Sequence, residues 1–158
     1  MSRLLILTFA IISCNSATVD RNFVFDYEDL LNEKQEVELQ RMIGDHEAKT
    51  TNEIALVTTP DWGEKSNALF FSVNFGEKHG IGKKEKNNGI VIVVSKQQRE
   101  ARISTGYGTE EVLKDEIAKQ IIDSLMIPRF KEDKYFEGIK DGTQEIIDFL
   151  EQPGNEIK

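Results

Sequence analysis

The chain has 158 residues, the size of one domain, and its 39% hydrophobic and 30% charged residues exclude a chain too polar to bury a core. With 28 acidic against 20 basic side chains, the net charge is −8. No Lys/Arg cluster is dense enough to neutralise a row of phosphates, which excludes nucleic acid as a partner, whereas converging carboxylates would welcome a hard cation.

The first residues read as an address. Met1-Ser2-Arg3 carries a positive charge, and Leu4 to Ile12 form an apolar run broken only by Thr8, too short for the ~20 residues a membrane helix needs. The run stops at Ile11-Ile12-Ser13-Cys14, which resembles the lipobox of bacterial lipoprotein signal peptides. On that reading residues 1–13 are a signal peptide and Cys14 is lipidated. The mature protein then sits in the bacterial cell envelope, outside the cytoplasm, joined to a membrane through its lipid anchor. The alternative is an ordinary secretory signal with an incidental cysteine. Cys14 is the only cysteine, so the mature domain has neither a disulfide nor a thiol nucleophile. Residues 14–22 are polar and aperiodic and read as a tether, leaving one domain over 23–151 and a tail over 152–158.

Phe23-Val24-Phe25 is expected to be a short strand, followed by a turn, Asp26-Tyr27-Glu28-Asp29, that carries three carboxylates. Asn32 and Gln35 form a capping-box pattern at a helix start, and Leu39, Met42, Ile43 and His46 follow as one buried stripe. Ile54 to Thr59 is a β-branched apolar run ended by Pro60, which predicts a strand covered on both faces and so a sheet between two helical layers. After the loop Asp61-Trp62-Gly63-Glu64, a second helix carries Ala68, Leu69, Phe71 and Val73 to Gly80. The basic loop Gly80 to Asn88 leads into a second buried strand, Ile90 to Val94. Ala101, Ile103 and Thr105 alternate with Arg102 and Ser104, the pattern of an antiparallel hairpin partner. Gly106 to Glu111 turns the chain into a third helix, with Leu113, Ile117, Ile121 and Leu125 four apart and Pro128 ending it. Asp133 is expected to cap a fourth, bearing Phe136, Ile139, Ile146 and Leu150, which Pro153-Gly154 stops. The order of elements predicts an α/β fold with a mixed sheet between helices.

Gly106-x-Gly108 follows a strand and opens a helix, the place where backbone amides can cradle a phosphate. The third glycine is absent, and Glu110 and Glu111 would repel a phosphate and attract a cation, so a nucleotide is not expected. The plainer reading is that the glycines make the turn and the acids complement the helix dipole. Asp115 has the same two readings, helix entry or ligand. His46 and His79 have no partner at zinc spacing; core packing suits the first and helix capping the second. Trp62 either anchors a partner or covers the end of the sheet. No paired nucleophile and base, no Gly-x-Ser-x-Gly elbow and no phosphatase signature occurs.

Several of these pieces recur together. Gly80-Ile81-Gly82, then Asn88-Gly89-Ile90 and an apolar strand, Arg102-Ile103, Gly106-Tyr107-Gly108, Asp115, Pro128-Arg129-Phe130, Tyr135 and Gly138 resemble the TPM domain family in family order, with Asp26 and Leu31 echoing its opening residues. The resemblance runs from about Phe23 to Leu150. It departs at Asn87, where many members carry an aspartate, and in the membrane helix and low-complexity tail that many members have after the domain. It implies a three-layer αβα sandwich with a central mixed four-stranded sheet, an extracytoplasmic location, and a calcium site tying together two crossing loops. It also carries the label phosphatase, from plant relatives linked to photosystem II repair.

On the strength of that resemblance, Asp26, Asn88, Glu110 and Asp115 are the expected metal ligands, with Asp61 and Asp29 in reserve. The ion would be Ca2+, as one or two ions, ahead of Mg2+, and would need six to eight oxygens in all. The function expected is a calcium-binding module, displayed by its lipid, that interacts with an envelope protein partner. The alternatives are a slow metal-dependent phosphatase, with Lys83, Lys84 or Arg102 neutralising charge, and a purely structural domain.

Overall fold

A computed structural model of the chain describes residues 21–63 and 66–157. The expected signal peptide, Cys14 and most of the expected tether lie outside the described residues. Four strands, β1 (Val24–Asp26), β2 (Glu53–Thr58), β3 (Gly89–Ser95) and β4 (Glu100–Thr105), form one sheet in the order β1-β2-β3-β4. The first three are parallel and β4 returns antiparallel beside β3. Every residue of β2 and β3 is buried, as their unbroken apolar runs require. The first strand starts one residue later than its aromatic pattern predicts and takes in Asp26.

The helices divide between the two faces. Leu56, Ile92 and Ile103 point to the side of α1 (Glu33–Thr50), α4 (Asp115–Ile121) and α6 (Tyr135–Leu150), where Leu39, Ile43, Ile139 and Ile146 complete the larger core. Ala55, Val57, Val91 and Val93 point the other way and are covered by α2 (Ala68–His79) through Ala68 and Phe75. Each fully buried Val, Leu, Ile or Phe among them contributes about 1.5 to 3 kcal/mol of transfer free energy. The result is a three-layer αβα sandwich on a mixed four-stranded sheet. Both crossovers, β1-α1-β2 and β2-α2-β3, step the same way across the sheet, yet α1 and α2 lie on opposite faces. They therefore have opposite hands, and one of them is the left-handed form that is rare for such units.

The start of α1 obeys its local code. The Asn32 side chain accepts from the backbone N–H of Lys34 and Gln35, each at 3.1 Å, and the Gln35 side chain accepts from Asn32 N–H at 2.9 Å. His46 is buried on the stripe of α1, with Nδ1 3.1 Å from Glu151 Oε1. His79 is the last residue of α2 and stacks on Phe75 at 4.1 Å, while Gly80 caps the helix in a left-handed conformation.

Three expectations about the later helices are corrected. The third helix does not run through Leu113: a short turn α3 (Tyr107–Glu110) is followed by a link in which Leu113 is fully buried, and α4 begins only at Asp115. Pro128 does not end the run either. A π-helical stretch (Ile122–Met126) carries α4 directly into α5 (Ile127–Lys131), with Ile127 N–H donating to Ile122 C=O. The wider turn relieves the ring clash and the missing donor that stop an ordinary helix at proline. Asp133 makes no helix cap. It takes a left-handed backbone (φ 61°) and pairs with Lys96 Nζ at 2.7 Å, and Lys134 occupies the position before α6. Among the described residues no helix is long and apolar enough to cross a membrane.

Candidate functional site

The three parallel strands give the sheet two chemically different ends. At the carboxyl end, Asp26 leaves β1 and turns its carboxylate back on its own loop. Oδ1 accepts from Leu30 N–H at 3.1 Å and from the Thr58 hydroxyl, and Oδ2 accepts from Leu31 N–H at 2.8 Å. Glu28, in the same turn, accepts from the backbone N–H groups of Lys96 and Gln97 at 2.9 and 2.8 Å. These carboxylates are satisfied by protein donors and hold the β1–α1 turn against the β3–β4 turn. Asp61 likewise accepts from Gly63 N–H, at 2.6 Å.

At the amino end two loops cross. Gly106 N–H donates to Gly89 C=O at 2.9 Å and Gly108 N–H to Asn87 C=O at 3.1 Å. A methyl group on Gly108 would sit 1.9 Å from the Lys86 carbonyl oxygen, so only glycine permits this crossing. Asn88 is fully buried beneath it. Its Oδ1 accepts from Lys83 N–H at 2.8 Å, and its Nδ2 donates to Thr51 C=O and Asn52 Oδ1 at 2.9 and 3.2 Å. It is a staple joining the crossed loops to the α1–β2 turn.

The sheet register separates the expected ligands. Asp26 pairs with Thr58, Thr58 with Val94, and Gly89, the residue after Asn88, with Glu53, so Asp26 and Asn88 lie about six residues apart along the strands, roughly 20 Å. Calcium–oxygen distances are about 2.3 to 2.6 Å, and one ion does not touch both. Glu110 is exposed on α3 at the Asn88 end, and Asp115 is exposed in the first turn of α4 without a capping bond. Among the described residues no group of three or more His, Cys, Asp or Glu side chains is placed to hold a metal. Asp26, Asn88, Glu110 and Asp115 therefore do not fit as a single coordination shell, and no chemistry is routed through an ion held by all four.

The strongest charge cluster is one that sequence reasoning missed. Glu53 opens β2 and is buried, yet it accepts from Arg21 Nη2 and Lys83 Nζ, each at 2.5 Å, and from Gly82 N–H at 2.6 Å. Burial pushes its pKa up, but the two cations and the amide outweigh burial and hold it at about 2. Lys83 also lies 3.6 Å from Glu47, so it is engaged rather than free to meet a phosphate ester. The available signal was a single acid at the head of an apolar strand. Of the other two cations considered for that role, Arg102 bonds Ser104 Oγ at 3.1 Å and Lys84 is exposed.

The outer surface of α2 is the other feature that periodicity alone did not reveal. Leu69, Phe70 and Val73 are 46%, 60% and 44% exposed side by side. A groove of about 510 Å³ beside them is lined by Tyr27, Trp62, Phe70, Phe71, Phe75 and His79, among others. Trp62 covers the sheet end, buried against the smaller core, and its indole N–H donates to Glu100 Oε2 at 3.0 Å.

The pattern of the TPM domain matches residues 24–149. The chain belongs to the TPM domain family. The TPM domain here resembles the N-terminal domain of a protein from P. gingivalis, solved in solution, with a TM-score of 0.77 and 29% identity over 87% of each chain. It shares its fold with the N-terminal domain of the cg2496 protein from Corynebacterium glutamicum, with a TM-score of 0.66 and 13% identity over 89% of this chain and 86% of that one. The BA42 protein from the psychrophilic bacterium Bizionia argentinensis has the same fold, with a TM-score of 0.63 and 17% identity over 78% of this chain and 83% of that one. Among curated proteins none matches this TPM domain.

Proposed function

We propose that this TPM domain is an interaction module of the bacterial envelope, held outside the membrane by a lipid on Cys14, whose α2 face receives apolar side chains of a partner protein. The observation that supports this reading is the adjacent exposure of Leu69, Phe70 and Val73 beside an aromatic groove. Isolated exposed apolar residues are ordinary, but a contiguous patch is the usual mark of an interaction site, and aromatic anchors dominate binding energy there. A photo-crosslinking residue at Phe70 in the producing bacterium is expected to capture one envelope protein, and Val73→Asp is expected to abolish capture without lowering Tm. Equal capture from an exposed position on the opposite layer, such as Glu116, would remove the proposal. Cys14→Ser is expected to release the protein from the membrane fraction; release without loss of capture in a reconstituted mixture separates the anchor from the binding face.

Calcium, with magnesium as the weaker competitor, is a second reading that rests on the amino end of the sheet alone. What favours it is the crossing of two loops beside the exposed carboxylate of Glu110. An ion there would take Glu110 with backbone oxygens and water, not Asp26. Saturation at 100 times the dissociation constant stabilises by about 2.7 kcal/mol, a rise in Tm of roughly 5 to 10 °C. Identical melting in calcium and in chelator removes this reading. Asp26→Ala is expected to lower Tm equally in both, because its three hydrogen bonds hold a turn.

A further inference from the structure

A second cleft lies at the carboxyl end of β3, away from the crossed loops and joined to the α2 groove only through the Trp62–Glu100 bond. Its volume is about 590 Å³, within the range of small-molecule sites, and it opens where strands of an open α/β sheet usually present ligands. One lip is the turn from Lys96 to Arg99 that joins β3 to β4. The other is the end of α5, with Lys131, and the link from it to α6, with Asp133. The floor is apolar, formed by Ile127 and by Phe130, whose ring stacks on Tyr135 at 4.9 Å with 15° between planes.

The charges facing the cleft are three cations and two carboxylates in a protein whose net charge is −8. Both carboxylates have partners: Asp133 takes Lys96 at 2.7 Å, and Glu100 takes the Trp62 indole at 3.0 Å. Arg99 and Lys131 pair with no carboxylate among the described residues. The two lips also share a backbone peculiarity. Arg99 has φ 55° and Asp133 has φ 61°, the left-handed region where a glycine is at no disadvantage and an arginine is strained. Strain of this kind persists where the surrounding structure imposes it, and it gathers at ligand-binding sites. At Arg99 the side chain gained by that strain is a guanidinium lining the cleft.

We infer that this cleft binds a small amphiphilic anion, with a phosphonate, phosphate or carboxylate group between Arg99 and Lys131 and an apolar body against Ile127 and Phe130. Arginine suits such a group because its donors form a planar fork that matches two oxygens at once. The apolar floor adds affinity that a bare inorganic ion cannot use.

Trp62 is the only tryptophan, and its bond to Glu100 makes its emission a reporter on the cleft wall. Titration of the lipid-free chain with phenylphosphonate is expected to give a saturable change in that emission. Benzoate in a parallel titration distinguishes a planar carboxylate from a tetrahedral anion, and inorganic phosphate should bind more weakly than phenylphosphonate. Arg99→Gly is expected to weaken binding about tenfold or more while raising Tm, since the turn loses its strain. Lys131→Ala, exposed at the end of α5, is expected to weaken binding with no change in Tm. Absence of saturation at concentrations on the order of 10 mM, the same emission change with sodium chloride at matched ionic strength, or unaltered affinity in both variants would each overturn the assignment.

Discussion

Glu53 is the residue whose environment departs most from its ordinary state. Its carboxyl has an ordinary pKa near 4.5, and burial raises it, but the bonds from Arg21, Lys83 and Gly82 bring it to about 2 in the fold. The folded value lies below the unfolded one, so the native state binds this proton less tightly than the unfolded chain. The resulting stability is complete above about pH 4.5 and is lost as the pH falls from there towards 2. Urea denaturation across that window should show a slope that Glu53→Gln removes, and the same variant is expected to cost about 1 to 3 kcal/mol at pH 7. Neither the acid nor its partners are unusual in the sequence. Arg21, Glu53 and Lys83 are 32 and 30 residues apart, and nothing local announces that they meet. By contrast the Asn32–Gln35 capping box is legible because both halves of it lie within one turn of backbone.

Among the elements, the strands and the first two helices follow from composition and period, while the crossing loops follow from contact. Gly108 shows the difference. In the sequence it is one half of a weak glycine pair; in the fold its missing side chain leaves room for the Lys86 carbonyl. Gly108→Ala is expected to destabilise by about 3 kcal/mol or more, because the obstructing atom is backbone and cannot swing aside. Denaturant midpoints of the variant against the parent chain check this, and a loss below 1 kcal/mol would mean that the loops part easily. The later helices were misread for a related reason. The four-residue spacing of Leu113, Ile117, Ile121 and Leu125 fits one continuous helix, yet Leu113 is buried from a turn between two helices. Burial needs a side chain to face the core, and more than one backbone path achieves that. Pro128 does not stop the run because the proline rule assumes α-helical hydrogen bonding, which the π stretch before it does not keep.

For the whole molecule, the unequal layers matter most. One face of the sheet is covered by α1, α4 and α6, which share their apolar surfaces with one another, whereas the other is covered by α2 alone. A single helix can seal only the strip beneath it, and its flanks stay open. Two phenylalanines five residues apart on α2 therefore have different fates: Phe75 is 7% exposed and Phe70 is 60% exposed. Phe75→Ala is expected to cost about 3 to 5 kcal/mol, and Phe70→Ala less than about 1 kcal/mol, as read by thermal or urea unfolding. A comparable loss at both positions would place Phe70 in the core and undermine the binding face proposed for it.

Hydrophobic period, turn chemistry and caps act over a few residues, so the chain by itself determined the strands, the first helix with its cap, the mixed sheet and the two helical layers. The family resemblance was equally visible, since glycines and prolines at fixed backbone positions are written in the order of residues. Which end of the sheet each acid reaches is a matter of register and crossover direction, set by packing between segments far apart in the chain. That is why Asp26 and Asn88, which the family resemblance groups as ligands, stand at opposite ends of the folded sheet. The same cause hid the Glu53 cluster and the cleft beside Arg99: their charges come together only once the layers have closed.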